Sequence, residues 1–229
     1  MPAYASLVRY TEPELVKHYT GRAVEDGYQT IKLHEITLDA IEAGRCAAAA
    51  PIKLVTDVNC NWSAEQAAQL LPRMKALDLY WVEEPLFPPD SEQQLHELQN
   101  KYGVPIASGE NACTSVEFSR LAPCIDFLQP SVTKVGGVSE FIRVCELAKN
   151  SGKRIMPHSP YFGPGYQTTL QLIAAHPVCE LFEYLYIDVA QHLDPSIPLP
   201  HNGQVNVPDK PGNGFDPSPE MINKFTVSL

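Results

Sequence analysis

Three carboxylates, Asp57, Glu83 and Glu110, stand at nearly even intervals along this sequence, each close behind a short run of strand-forming residues. Three acids brought to one place would repel one another unless a cation lay between them. Hard oxygen donors on a rigid frame suit Mg²⁺, which keeps positions open for water or for oxygens of a substrate. An isolated acid after a strand is usually a solvated surface group. Three in register on consecutive strands argue for a shared site. Other polar residues stand in equivalent places: Lys32 and His34, Lys134, His158 and Glu183. Glu84 is ambiguous beside Glu83, because neighbours along a strand face opposite sides.

The elements that must position these residues form one rhythm. Short β-rich runs recur roughly every 25 residues, as in a chain of βα units. Strands are expected at 4–8, 30–33, 53–57, 80–83, 105–107, 127–129, 154–156 and 181–183. Amphipathic helices are expected at 12–25, 39–50, 63–77, 91–102, 115–121, 138–150 and 166–175. Ser63 with Gln66 three residues on forms a capping box at the start of one of them. Eight strands alternating with helices predict an α/β fold closed as a TIM-like (β/α)7β barrel over residues 1–188. The strand ends of such a barrel converge on one mouth, so residues distant in sequence would share a pocket. An open doubly wound sheet is the alternative, but no GxGxxG follows the first strand. Residues 189–229, rich in Pro, Gly and Asn over much of their length, are expected to form an irregular tail packed on the barrel.

Composition narrows the function. The formal net charge of −10 argues against nucleic acid or an anionic membrane as partner. An anionic substrate would then need local positive charge, which a divalent cation supplies. The six cysteines are scattered without a CxxC pair, which argues against a zinc knuckle, a redox motif or a disulfide framework. No apolar run approaches membrane-spanning length, and the N-terminus lacks a signal-peptide pattern. A cytoplasmic location is expected. His18, His96, His176, His192 and His201 fall on helices or in the tail and receive no role. Gly136-Gly137 lacks the wider phosphate-loop pattern and is read as a tight turn.

Several segments in order resemble the mandelate racemase/muconate lactonizing enzyme subgroup of the enolase superfamily. They are Asp57-Val58-Asn59, Trp81-Val82-Glu83-Glu84-Pro85, Ser108-Gly109-Glu110-Asn111, Lys134-Val135-Gly136-Gly137 and Met156-Pro157-His158-Ser159, with Glu183 and Val207-Pro208-Asp209-Lys210-Pro211-Gly212 beyond them. The resemblance implies the superfamily's C-terminal catalytic barrel, with Mg²⁺ on Asp57, Glu83 and Glu110. It implies an acid/base at His158, a substrate-side charge at Lys134, supporting polar residues at Asn59 and Asn111, and a hydrogen bond from Glu183 to a substrate carboxylate oxygen. The subgroup's Lys-x-Lys motif reads Lys32-Leu33-His34 here, so His34 stands in place of the usual catalytic lysine. Ser131 stands where an aspartate usually pairs with the seventh-strand histidine. Both departures speak against a simple two-base racemase. The family also carries an N-terminal capping domain that closes the mouth. This sequence opens on the first barrel strand, so the cap is expected to be absent, and the chain alone is expected to be poorly active and prone to associate.

The chemistry implied is removal of the proton next to a substrate carboxylate. His34 beside the cation Lys32 would serve as a neutral imidazole base. Protonating the opposite face gives racemisation, and expelling a β-hydroxyl gives dehydration. Pro157-His158-Ser159-Pro160 with Gly163-Pro164 resembles acid-sugar dehydratases more than racemases. The preferred reading is a lyase converting an acid sugar to a 2-keto-3-deoxy acid, a homo-oligomer when full length. A racemase, epimerase or cycloisomerase is the alternative, and a non-catalytic metal-binding barrel or partner subunit the one from another class.

Overall fold

The eight strands lie side by side and parallel, in the order β7-β6-β5-β4-β3-β2-β1-β8, in a computed structural model that describes residues 1–227. They are β1 (Ala3–Ser6), β2 (Thr30–Leu33), β3 (Lys53–Asp57), β4 (Leu79–Glu83), β5 (Ile106–Ser108), β6 (Phe127–Leu128), β7 (Arg154–Ile155) and β8 (Phe182–Leu185). Seven helices alternate with them: α1 (Pro13–Glu25), α2 (Leu38–Ala47), α3 (Ala64–Ala76), α4 (Glu92–Tyr102), α5 (Ser115–Leu121), α6 (Val138–Ser151) and α7 (Pro164–Ala175). A parallel bridge between Ile155 and Cys179 joins β7 to the segment entering β8, so the sheet curls back on itself.

Alternation sorts the strand residues into two apolar regions. Ala5, Ile31, Leu33, Leu54, Val82, Ile106, Leu128 and Ile155 belong to the large core beneath the helices. Tyr4, Val55, Trp81, Ala107, Phe127 and Met156 form a separate cluster inside the barrel. Odd strands supply Tyr4, Val55, Ala107 and Met156 to that interior, and even strands supply Trp81 and Phe127. This is the layering expected when a barrel is filled by side chains from alternate strands. Two residues further along the even strands stand Lys32, Glu83, Gln129 and Glu183, all buried. The apolar floor therefore carries a charged layer, and the site is built on that layer.

Local signals explain the element ends. The Ser63 hydroxyl accepts from the Gln66 amide at 3.2 Å, and the Gln66 side chain accepts from the Ser63 amide at 2.9 Å, completing the box at the start of α3. Helix α2 stops at Ala47 rather than running to residue 50, consistent with the bias against helix just before Pro51. The tail is more ordered than its composition suggests: it contains α8 (Pro219–Phe225). The missed signal was local, a Ser218 cap followed by Pro219 and Glu220 in the first turn. The tail also pairs with the start of the chain, where Pro2 bridges Gln204 and the Val205 amide donates to the Met1 carbonyl at 2.8 Å. Residues 228 and 229 of the expected tail lie outside the described residues.

Candidate active site

The strand ends gather the polar residues into one network. Lys32, fully buried on β2, places its ammonium 2.6 Å from Glu183 Oε1, 2.8 Å from Glu83 Oε1 and 3.2 Å from Asp57 Oδ2. Burial disfavours its charge, but the three carboxylates outweigh burial and raise its pKa well above the ordinary lysine value. Burial also pushes Asp57 and Glu183 up, yet Lys32 and their hydrogen bonds hold both below the usual carboxylate range. Burial dominates at Glu83 and Glu110, with further raising by neighbouring acids, and both sit above it.

Asp57, Glu83 and Glu110 each offer an oxygen within 4.8 Å of the others. Around them four carboxylates, counting Glu183, face two lysines, Lys32 and Lys134. Buried charge left uncompensated on this scale is costly. A divalent cation would balance it, and an all-oxygen donor set fits Mg²⁺.

Two histidines reach the same mouth. His34 Nε2 lies 3.3 Å from Asp57 Oδ2, while its Nδ1 meets the Leu7 carbonyl. His158 Nε2 lies 3.1 Å from Glu110 Oε2, and its Nδ1 lies 3.1 Å from the Tyr161 hydroxyl. Burial lowers the His158 pKa to about 4, so the imidazole is neutral near pH 7. Lys134 reaches Glu110 at 3.4 Å from a more exposed position on the rim. Glu183 is held by Ser6 Oγ at 2.8 Å and by the Ser159 amide at 2.8 Å.

The two asparagines are placed differently. The Asn59 backbone donates to Asp57 Oδ1 at 2.8 Å, and its side-chain oxygen accepts from Arg9 at 3.4 Å. Asn111 turns its amide to Glu84 at 3.0 Å. Glu84 is the residue the sequence left open. It points outward, is buried, and accepts from Ser108 Oγ at 2.8 Å, Gly109 N at 3.1 Å, Asn111 Nδ2 and Cys60 Sγ at 2.9 Å. It thus ties together the loops that follow β3 and β5 and so steadies Glu110. Gly109 permits that loop: its φ is +122°, and a Cβ there would stand 2.5 Å from Phe118 Cε1. Trp81 also enters the site by donating from Nε1 to Glu83 Oε2 at 3.0 Å. Ser6, Arg9 and Tyr161 carried no motif that would have singled them out, while Trp81 and Ser159 lay in the quoted segments without a role of their own. The doublet Glu83-Glu84 before Pro85 was the one visible hint for Glu84. Phe87 and Phe162, on loops after β4 and β7, are exposed.

An alternating α/β barrel with this carboxylate triad at its strand ends defines a class of metal-dependent barrels. The chain belongs to the mandelate racemase/muconate lactonizing C-terminal family of the enolase superfamily: the family model described as enolase C-terminal domain-like matches residues 14–221. It is 31% identical over 178 residues to L-talarate/galactarate dehydratase of Salmonella typhimurium, covering 76% of this chain and 42% of that protein. It is 24% identical to 3,6-anhydro-alpha-L-galactonate cycloisomerase of Streptomyces coelicolor, covering 99% of this chain and 63% of that one. A crystal structure of a mutant L-talarate/galactarate dehydratase liganded with Mg and L-glucarate superposes with a TM-score of 0.82 at 25% identity, covering 97% of this chain and 57% of the other. The chain thus spans about half the length of these relatives. Among the described residues no helix is long and apolar enough to cross a membrane.

Proposed function

We propose that this barrel binds Mg²⁺ through Asp57, Glu83 and Glu110 and dehydrates an acid sugar to a 2-keto-3-deoxy acid. The observation that carries the reading is the convergence of the three carboxylates beside Lys32 and Glu183, four acids against two lysines. Removing a proton next to a carboxylate creates a dianion that water barely stabilises. Bound in the triad, Mg²⁺ would supply positive charge against it.

The chain's own residues divide the remaining work. Lys32 holds a buried positive charge near the substrate carboxylate, and Glu183 hydrogen-bonds one of its oxygens. Lys134 contributes charge from the rim, and Asn59 and Asn111 support the loops on which substrate rests. His34 takes the proton from the carbon next to the carboxylate. His158 hydrogen-bonds the departing β-hydroxyl, which leaves as water with the proton that His34 has taken. The resulting enol then loses its hydroxyl proton, gains one on carbon and becomes the 2-keto acid. The barrel's relatives include dehydratases and a cycloisomerase. Dehydration is favoured because Pro157-His158-Ser159-Pro160 with Gly163-Pro164 resembles acid-sugar dehydratases, and L-talarate/galactarate dehydratase is among the relatives.

The test is a set of acid sugars, including galactarate and L-talarate, incubated with the chain and Mg²⁺ and assayed with semicarbazide. A 2-keto product supports dehydration. Exchange of the proton next to the carboxylate with solvent deuterium, without any 2-keto product, would move the assignment to an isomerase. Mg²⁺ binding without either would leave the metal-binding barrel as the reading.

A further inference from the structure

The segment after β1 lies across the ends of β2 and β3. The Leu7 carbonyl meets His34 Nδ1, and Arg9 Nε donates to the His34 carbonyl at 2.6 Å. Arg9 Nη2 donates to the Asn59 side-chain oxygen at 3.4 Å, and the Asn59 amide in turn donates to Asp57 Oδ1 at 2.8 Å. Arg9 is exposed, and it stands on the β1–β3 rim of the mouth, one residue out from the carboxylate triad.

This arginine differs from the other cations of the mouth. Lys32 is shared by three carboxylates, and Lys134 reaches Glu110. Among the described residues Arg9 forms no ion pair, although the chain carries a net charge of −10. An unpaired surface arginine is ordinarily a swinging, solvated group. Arg9 is instead anchored by a main-chain carbonyl. Its Nε–Nη2 edge is taken by two neutral oxygens. A guanidinium is a planar fork of five N–H donors, so the outer edge keeps two parallel hydrogens, one on Nη1 and one on Nη2. Two parallel donors with a positive charge match the two oxygens of a carboxylate.

The carboxylate next to the reacting carbon belongs with the triad and Lys32, so Arg9 would meet the other end of the substrate. In an acid sugar that end is either a primary alcohol or a second carboxylate. An alcohol can accept at the fork but leaves its charge unbalanced, whereas a carboxylate takes both hydrogens and neutralises it. We propose that Arg9 is a specificity-determining residue that holds the far carboxylate of a dicarboxylic acid sugar. This rests on the reading of the mouth as an acid-sugar site, and the experiment separates the two.

Galactarate and D-galactonate form a matched pair, because they differ only in whether the far carbon is a carboxylate or a primary alcohol. Calorimetry measures the binding of each to the full chain with Mg²⁺, in a His158→Asn background that prevents turnover. Galactarate should bind more tightly. Arg9→Gln should weaken galactarate on the order of 10- to 100-fold, the scale of hydrogen bonds to charged groups, and leave D-galactonate near its original affinity. Arg9→Lys keeps the charge but loses the two-donor edge, so it should recover only part of the preference. It carries the comparison alone if Arg9→Gln does not fold. Equal affinity for the two acids, binding of neither, or an equal loss for both in the Arg9 variants overturns the proposal; the last would mean that Arg9 only props His34 and Asn59. The semicarbazide assay on the chain with His158 intact judges the functional reading separately. A galactarate preference that depends on Arg9, without any 2-keto product, would sink dehydration and leave the assignment of Arg9 standing.

Discussion

The two sides of the barrel mouth are wired differently. On the β2–β3 side, His34 is clamped between a main-chain carbonyl and Asp57, beside the fully buried Lys32. On the β5–β7 side, His158 meets only side chains, Tyr161 and Glu110, and Lys134 beside them is 38% exposed. A carbonyl is supplied by the chain whatever the residue, so the first side tolerates little variation in geometry. Side-chain partners can be exchanged one at a time, so the second side is where such a barrel can change its chemistry. There Tyr161 holds the His158 Nδ1 contact, at 3.1 Å.

The largest expected effects break the comparison outright. His158→Asn should abolish turnover while Mg²⁺ binding survives, and His34→Asn should do the same, because Lys32 is held charged by three carboxylates and cannot replace the base. Solvent-deuterium exchange at the reacting carbon, followed by NMR, separates the roles. Exchange that persists in His158→Asn and stops in His34→Asn is expected if β2 carries the base. The reverse pattern would exchange the two assignments. Glu110→Gln should weaken Mg²⁺ by more than the roughly 10–100-fold typical of losing an outer-shell partner. Calorimetry that finds the parent affinity would remove Glu110 from the site.

Lys32→Met probes the buried side alone. It leaves Asp57, Glu83 and Glu183 without their shared cation, and removing one partner from a buried pair costs about 3–5 kcal/mol. Denaturant unfolding without metal should show that loss, and added Mg²⁺ should restore part of it. Parent stability without metal would mean that Lys32 does not carry the interior charge.

Glu84→Gln tests the outward support of Glu110, with a fall in Mg²⁺ affinity of about tenfold expected. An unchanged affinity would show that the β5 loop holds its shape without that carboxylate.

The smallest effect is a control away from both sides. Asp194, in the tail, accepts from the Ser196 amide at 2.8 Å, the Asp216 amide at 3.0 Å and Gln167 at 3.2 Å. Burial raises its pKa, but these hydrogen bonds prevail and hold it below the ordinary aspartate value. A depressed folded pKa contributes stability that is present above the unfolded value and lost as pH falls through the folded one. Asp194→Asn should therefore cost about 2 kcal/mol near pH 7. It should also remove that part of the acid sensitivity below about pH 4, where aspartate normally titrates. Mg²⁺ binding should not change. A tail variant that also loses metal would mean the two sides of the mouth are not independent of the tail.

The sequence by itself determined the alternation of strands and helices, the layer of strand-end polar residues and the convergence of Asp57, Glu83 and Glu110. These follow from periodicity, which is local, and from the closure rule of a parallel barrel, which is general. Only the tertiary structure decided who meets whom across that mouth. The bonds from Lys32 to carboxylates on β3, β4 and β8, and the tie from Glu84 to the loops after β3 and β5, depend on register and side-chain reach between strands far apart in sequence. Tyr161 was invisible for a related reason. It lies three residues from His158, but neither residue is in regular structure, so no periodicity places them together. The turn before α7 and the space beside Gly165 bring the phenol to the imidazole, and neither is written in the pattern of apolar and polar residues.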